Sequence, residues 1–215
     1  MINSVETYPD CDVNPRQAVN FIGGNAKFQD PYRRDIFAVD KISLDNIEKK
    51  IDACVKESIE ASDVIIITLG LVESWRDIST GRFVCSGSVP IRSSNRRGYE
   101  FVLTDFNDNY ENLLWVCNLL RKRYKNKEIV LTVSPVPLHR TFTTNDVVTA
   151  NMYSKSVLRA VAGKIEAEFD SVHYWPSFEI ASKMDLYKED GRHVTEEGIS
   201  FIVENFLKAY TVKID

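Results

Sequence analysis

Apolar and polar positions along this chain follow two rhythms. Leu44, Ile47, Ile51, Val55 and Ile59 recur at spacings of three and four, which predicts an amphipathic helix. Ser62-Asp63 breaks that rhythm, and Val64-Ile65-Ile66-Ile67-Thr68-Leu69 follows as a strand. The run is apolar throughout rather than alternating, as expected of a parallel strand covered on both faces. Gly70 ends it and permits a tight turn. Residues 71–104, rich in Ser, Gly and Arg, read as irregular, with one short hairpin around 81–84. A second helix is predicted over 108–125, with Tyr110, Leu113, Leu114, Cys117, Leu120 and Tyr124 on one face. Ile129-Val130-Leu131-Thr132-Val133 is the next buried strand, stopped by Ser134-Pro135-Val136-Pro137. A third helix spans 148–169, with Val157, Leu158, Val161, Ile165 and Phe169 inward. Residues 172–175 form a short strand closed by Pro176. The last helix runs from Thr195 to about Tyr210 and opens on an acidic turn, Thr195-Glu196-Glu197. Its buried face is predicted as Ile199, Ile202, Val203, Phe206 and Tyr210.

Strands alternating with helices imply right-handed βαβ crossovers, and hence an α/β fold: a three-layer α/β/α sandwich on a mostly parallel sheet. Reactive groups in such sheets gather at the carboxyl ends of the strands. Those ends read Gly70-Leu71-Val72-Glu73, Ser134-Pro135-Val136-Pro137 and Trp175-Pro176-Ser177, and the loop 190–193 can reach the same edge. With 215 residues and no repeat or low-complexity segment, the chain reads as a single domain.

Composition narrows the function classes. An apolar content of 44% with 27% charged residues is that of an ordinary soluble globular protein. The net charge of −4 gives no electrostatic support for a nucleic-acid role. Arg121, Lys122, Arg123, Lys125 and Lys127 cluster where a helix ends, and cations there complement the helix dipole. Arg92, Arg96 and Arg97 read as a solvated loop first and as contacts to an anionic substrate second. Cys11, Cys54, Cys85 and Cys117 show no C-x-x-C spacing and no metal pattern with the three histidines. Cys54 and Cys117 fall on apolar helix faces and read as small core residues, which fits a reducing, cytoplasmic setting. The polar first dozen residues do not resemble a signal peptide, and no apolar stretch approaches the roughly 18 residues that span a bilayer. No metal, cofactor or membrane role is expected, and the oligomeric state is left open.

The sharpest chemical feature is Asp190-Gly191-Arg192-His193. An Asp three residues before a His can accept from the ring Nδ1–H, fixing the tautomer and leaving Nε2 as a general base. Alone, such a pair is more often a surface decoration ahead of a helix. Glu73, at a strand end, divides evenly between a capping or salt-bridging carboxylate and a site residue. Ser134 precedes a Pro and lacks a nucleophile-elbow sequence, so turn formation is its first reading. Ser154 and Lys155 are adjacent on a helix and point about 100° apart, which argues against a Ser-Lys dyad. Core packing and surface charge explain them better. His139 lies beside a strand edge and is a candidate lining residue, whereas His173 reads as a satisfied core residue. Arg33 and Arg34 read as ion-pairing residues or as a fork for a carboxylate or phosphate. Cys85 has no neighbour that would activate it.

Five ordered strings add a resemblance. They are Thr68-Leu69-Gly70-Leu71-Val72-Glu73-Ser74-Trp75, Leu131-Thr132-Val133-Ser134-Pro135-Val136-Pro137-Leu138, Asn151-Met152-Tyr153-Ser154-Lys155-Ser156-Val157-Leu158-Arg159, Tyr174-Trp175-Pro176-Ser177-Phe178-Glu179-Ile180 and Asp190-Gly191-Arg192-His193. With Asp30-Pro31-Tyr32-Arg33-Arg34 upstream, this series resembles the GSCFA family, a branch related to the SGNH/GDSL hydrolases, over roughly residues 10–207. The resemblance implies a flavodoxin-like fold and ester hydrolysis or acyl transfer by a serine nucleophile. It implies His193 as general base, Asp190 as its orienting carboxylate and Gly70 N–H as an oxyanion donor, with Glu73 where SGNH enzymes carry Asn. The Gly-Ser-Cys-Phe-Ala segment that names the family is not in this sequence, and Met1-Ile2-Asn3-Ser4-Val5-Glu6 looks like the second strand of the fold. The chain is therefore expected to be N-terminally short, to lack the first strand and the nucleophile, and to be inactive by itself. Loss of that strand would expose an edge of the Val64–Leu69 strand. The expected substrate is a small-molecule or carbohydrate-linked acyl ester. The competing reading is a non-catalytic binding module that keeps the fold.

Overall fold

The computed structural model describes residues 28–33, 36–85 and 98–210. Its Cα packing divides into two compact units. The first comprises Ser62–Glu73 and the described part of Leu103–Asp215; the second comprises the described parts of Val5–Ala61 and Ser74–Val102.

The first unit is built on a three-stranded parallel sheet of β3 (Val64–Leu69), β7 (Glu128–Val133) and β8 (Val172–Trp175), in the order β3-β7-β8. Val64 pairs with Glu128 through to Leu69 with Val133, and Ile129 pairs with Val172 through to Thr132 with Trp175. Central β7 is buried from Ile129 to Val133, which accounts for its unbroken apolar sequence. The same reading of β3 does not hold among the described residues. There β7 is its strand partner, and Ile66 is 54% exposed.

Helices α2 (Phe106–Arg123) and α3 (Val147–Glu166) pack one face of this sheet. Leu113 and Cys117 meet Ile129, Leu131, Val161, Ala162, Ile165, Phe169 and Val172 in one core, as the helical periodicity predicts. Asp105 caps α2 in a reciprocal box, accepting from Asp108 N–H at 3.0 Å while Asp108 accepts from Asp105 N–H at 3.0 Å. Arg121, Lys122 and Arg123 do fall in its last turn, and Arg121 stacks 5.0 Å from the Phe169 ring centre. Asp146 caps α3 by accepting from Val148 and Thr149 N–H at 3.0 and 2.9 Å. A seven-residue helix α4 (Ser177–Lys183), not foreseen from periodicity, follows β8.

The last helix, α5 (Glu196–Tyr210), packs Phe206 and Tyr210 edge-on against Trp175, at 5.4 and 6.1 Å between ring centres. Ile202, Phe206 and Tyr210 lie on the less exposed face as predicted, but Ile199 and Val203 do not, being 46% and 47% exposed. The helix is rotated to bury Gly198 instead. A Cβ there would lie 2.8 Å from Val194 Cγ1 and 2.9 Å from Leu186 Cβ, so the missing side chain admits the loop before the helix.

In the second unit, β1 (Phe28–Gln29) pairs antiparallel with β2 (Phe37–Ala38), and α1 (Lys41–Ala61) lays Leu44, Ile47 and Ile51 against Ile36 and Ala38. Residues 71–104 are more ordered than their Ser/Gly/Arg content suggested. They hold the sheet β5-β4-β6, made by β4 (Glu73–Asp77), β5 (Phe83–Val84) and β6 (Tyr99–Leu103), with the predicted hairpin joining β4 to β5. Trp75, 2% exposed, meets Phe101 edge-on at 5.7 Å. Cys117 is a buried free thiol, pushed up to about 11 by desolvation, as its place on the apolar helix face predicts.

Gly198→Ala is expected to destabilise the fold by about 1–2 kcal/mol, since overpacking outweighs the better helix propensity of Ala. Urea denaturation checks this; a neutral or stabilising substitution would show that the Leu186–Val194 contact is slack.

Candidate active site

The loop before α5 folds as a tight turn whose geometry is set by its own backbone. Lys188 N–H donates to His193 O at 2.8 Å, Gly191 N–H to Lys188 O at 2.9 Å, and Thr195 N–H to Leu186 O at 2.8 Å. Gly191 takes φ +64°, a left-handed conformation that glycine adopts without strain. At the tip, Asp190 Oδ1 accepts from the backbone N–H of Arg192 (2.8 Å) and His193 (3.0 Å). Its other oxygen, Oδ2, lies 2.5 Å from His193 Nδ1. The His193 side chain and these two N–H groups hold the Asp190 carboxyl well below the usual carboxylate range, the imidazole contributing most. An ionised Asp190 accepts the Nδ1 proton, so Nε2 carries the free lone pair. Both side chains are about half exposed.

This loop is tied to the carboxyl edge of the parallel sheet. Tyr187, bridged to Val194, donates its hydroxyl to Pro135 O at 2.9 Å, just beyond the end of β7. Next along the edge, Ser134 N–H donates to Leu69 O at 2.8 Å, so β3 and its terminal Gly70 are held in line with β7. Gly70 and Ser134 thus lie side by side on one edge of the sheet, and the base of the Asp190–His193 turn is tethered to that edge through Tyr187.

Other candidates sort differently. Glu73 is 8% exposed, and its carboxylate accepts from Thr141 Oγ1 at 2.5 Å and Phe142 N–H at 3.0 Å. It pins the Thr-rich loop after β7, which is the capping reading of this residue. Ser134 Oγ accepts from Val136 N–H at 3.3 Å, a turn contact. His173 is less buried than expected, with its Nε2 2.8 Å from Glu128 Oε2. His139 is exposed. Arg33 is an ion-pairing residue, bonded to buried Asp30 at 2.7 Å and to Asp52. Arg34, Arg92, Arg96, Arg97, Cys11 and the Met1–Glu6 strand lie outside the described residues. No described helix is long and apolar enough to cross a membrane, and the described residues hold no group of three His, Cys, Asp or Glu placed to bind a metal.

Ser154 is a core residue and forms no dyad with Lys155, as expected, but Lys155 is not the surface charge its sequence suggests. Both are fully buried. Ser154 Oγ accepts from Val72 N–H at 3.0 Å, and Lys155 Nζ donates to Gly70 O at 2.9 Å. Adjacent side chains diverge on a helix, so they reach two different backbone groups rather than each other. A signal was available: both lie on the helical stripe of Leu158, Val161, Ala162 and Ile165. Burial pushes the Lys155 amine down to about 8 from 10.5. Further along α3, Arg159 Nε donates to Glu179 Oε1 at 3.0 Å and its guanidinium sits 4.0 Å from the Tyr174 ring centre. Tyr174 donates to the same Glu179 at 2.9 Å, and burial followed by that carboxylate raises its phenol.

An α/β domain with a carboxylate-oriented imidazole at the carboxyl edge of its parallel sheet is the class that this geometry defines. The chain belongs to the GSCFA family, whose model matches residues 22–206. Among solved structures it is similar to "a putative platelet activating factor from Streptococcus pneumonia", at 12% identity and a TM-score of 0.37, covering 80% of this chain and 99% of that one. No curated protein matches the chain.

Two titrations check the site. The Asp190 carboxyl carbon should show no transition between about pH 3 and 5, where ordinary aspartates titrate, and should regain one in His193→Ala. Lys155 gives up its proton at a lower pH when folded than when unfolded. The unfolded chain therefore binds more protons between about 8 and 10.5, and stability rises with pH across that window. Lys155→Met should lack that rise, worth up to about 3 kcal/mol. Parallel stability profiles in wild type and variant would rule out a buried, depressed amine.

Proposed function

We propose that this GSCFA domain is an SGNH-type serine ester hydrolase or acyltransferase. Its substrate is a small-molecule or carbohydrate-linked acyl ester. The observation that carries the reading is the 2.5 Å contact between His193 Nδ1 and Asp190 Oδ2, within a turn whose backbone N–H groups also hold Asp190. In this scheme a serine hydroxyl attacks the acyl carbonyl and gives its proton to His193 Nε2. Asp190 stabilises the imidazolium that forms, and the same proton then passes to the departing alcohol. Water or an acceptor hydroxyl resolves the acyl-enzyme by the reverse sequence. Gly70 N–H would bind the oxyanion, a contribution on the order of 3 kcal/mol for one such donor.

The nucleophile is assigned to a serine outside the described residues. Among those described, Ser134, Ser154 and Ser177 at the sheet edge are bonded to Val136, Val72 and Thr132 respectively. A flavodoxin-like three-layer arrangement is part of the same proposal, supported by α2 and α3 on one face of the sheet and the Trp175–Phe206 contact of α5.

The test is hydrolysis of p-nitrophenyl acetate by the full-length gene product. Turnover is expected to fall by at least about a thousandfold in His193→Ala, and less steeply in Asp190→Asn. Turnover that survives His193→Ala overturns the scheme. A folded protein that binds an ester or a partner without turnover, equally well with and without His193, is instead a binding module.

A further inference from the structure

Four successive peptide units after β3 are each held by a neighbouring group. Leu69 O accepts from Ser134 N–H at 2.8 Å, and Gly70 O from Lys155 Nζ at 2.9 Å. Val72 N–H donates to Ser154 Oγ at 3.0 Å, and Val72 O accepts from both Thr104 N–H and Thr104 Oγ1 at 2.9 Å. The Val72 side chain adds a fifth anchor, fully buried beside Val133 and Leu158. The planarity of the peptide bond then settles a direction. Leu69 C=O points toward Ser134 on the β7 side, so Gly70 N–H, on the same trans peptide, points to the opposite side of β3.

Two of these anchors are unusual. A fully buried ammonium is costly to keep, and in structures it is normally matched by a carboxylate. Here the partner of Lys155 is a neutral carbonyl, and among the described residues its pKa is moved by desolvation alone. A methionine would fill the same volume without that cost. Ser154 spends its buried hydroxyl on Val72 N–H, in a loop that an apolar side chain could also support. Both groups converge on the two residues that flank Leu71, within two peptide units of Gly70 N–H.

We infer that Ser154 and Lys155 are positioning residues: they hold the Gly70–Val72 backbone so that Gly70 N–H stays aimed at an oxygen that gains negative charge during acyl transfer. The inference rests on the hydrolase reading above. Neither side chain touches substrate. Their effect reaches the reaction through the loop, with the buried cation one carbonyl away adding a favourable field in a low-dielectric setting. The binding of the ground-state ester should be little altered, because its carbonyl oxygen carries far less charge than the oxyanion.

Lys155→Met and Ser154→Ala in the full-length gene product provide the test, read by p-nitrophenyl acetate kinetics, melting temperature and amide hydrogen exchange. The expected result is a fall in kcat of about 10- to 100-fold with KM within about threefold, in variants that remain folded. Exchange at the Val72 amide should accelerate at least about tenfold in Ser154→Ala, which removes one oxygen and tests the point even if Lys155→Met fails to fold. Unchanged Val72 exchange in Ser154→Ala overturns the inference, since the clamp then does not hold the loop. Faster exchange with wild-type kcat overturns it too, because the loop then needs no clamp for turnover. Wild-type protein without turnover is a failure of the hydrolase reading and removes the inference with it. Turnover that the variants leave unaltered is a failure of the inference alone.

Discussion

Buried polar groups must find partners, and in the parallel-sheet unit that demand falls mainly on one helix face. Ser154 and Lys155 of α3 carry hydrogen-bonding groups into places where water cannot serve them, and half-buried Asn151 and Arg159 extend the same face. Asn151 Oδ1 accepts from Leu138 N–H at 3.0 Å, Ser154 and Lys155 take up the loop after β3, and Arg159 engages Glu179. Together these bonds join α3 to three segments, each beyond a different strand end. Removing a partner from such a bond leaves an unsatisfied group whose desolvation typically costs about 1–3 kcal/mol. That penalty is what makes the loops at this edge single conformations rather than ensembles.

The family strings therefore do more than recur in order. The one after β3 is bonded to α3, the one after β7 is bonded to α3 and to Tyr187, and the one after β8 is bonded to β7 through Thr132 and Ser177, at 2.7 Å. Strings far apart in sequence are one connected set of hydrogen bonds in space. Glu73 extends that set to the Thr-rich loop.

Much of this was legible from periodicity and much was not. The three strands of the parallel sheet and the helices flanking them follow from apolar spacing, because each buries a continuous stripe. The D-x-x-H pair was legible for a different reason: both partners lie within one turn, so local geometry decides their contact. Long-range polar contacts escaped. Nothing in the sequence near Lys155 announces a carbonyl 85 positions away, and a lysine is by default a surface residue. The sheet β5-β4-β6 was hidden because Ser, Gly and Arg obscure its alternation, and the rotation of α5 because it depends on a glycine that merely gets out of the way.

The turn that carries His193 has a further consequence. Its orienting carboxylate is fastened by the backbone of the same four residues and owes nothing to the strands. The tautomer of the imidazole is therefore a local property, indifferent to which element would bring a hydroxyl to it. Such a device is portable: the carboxylate and the imidazole stay oriented toward each other whatever the rest of the domain places beside them.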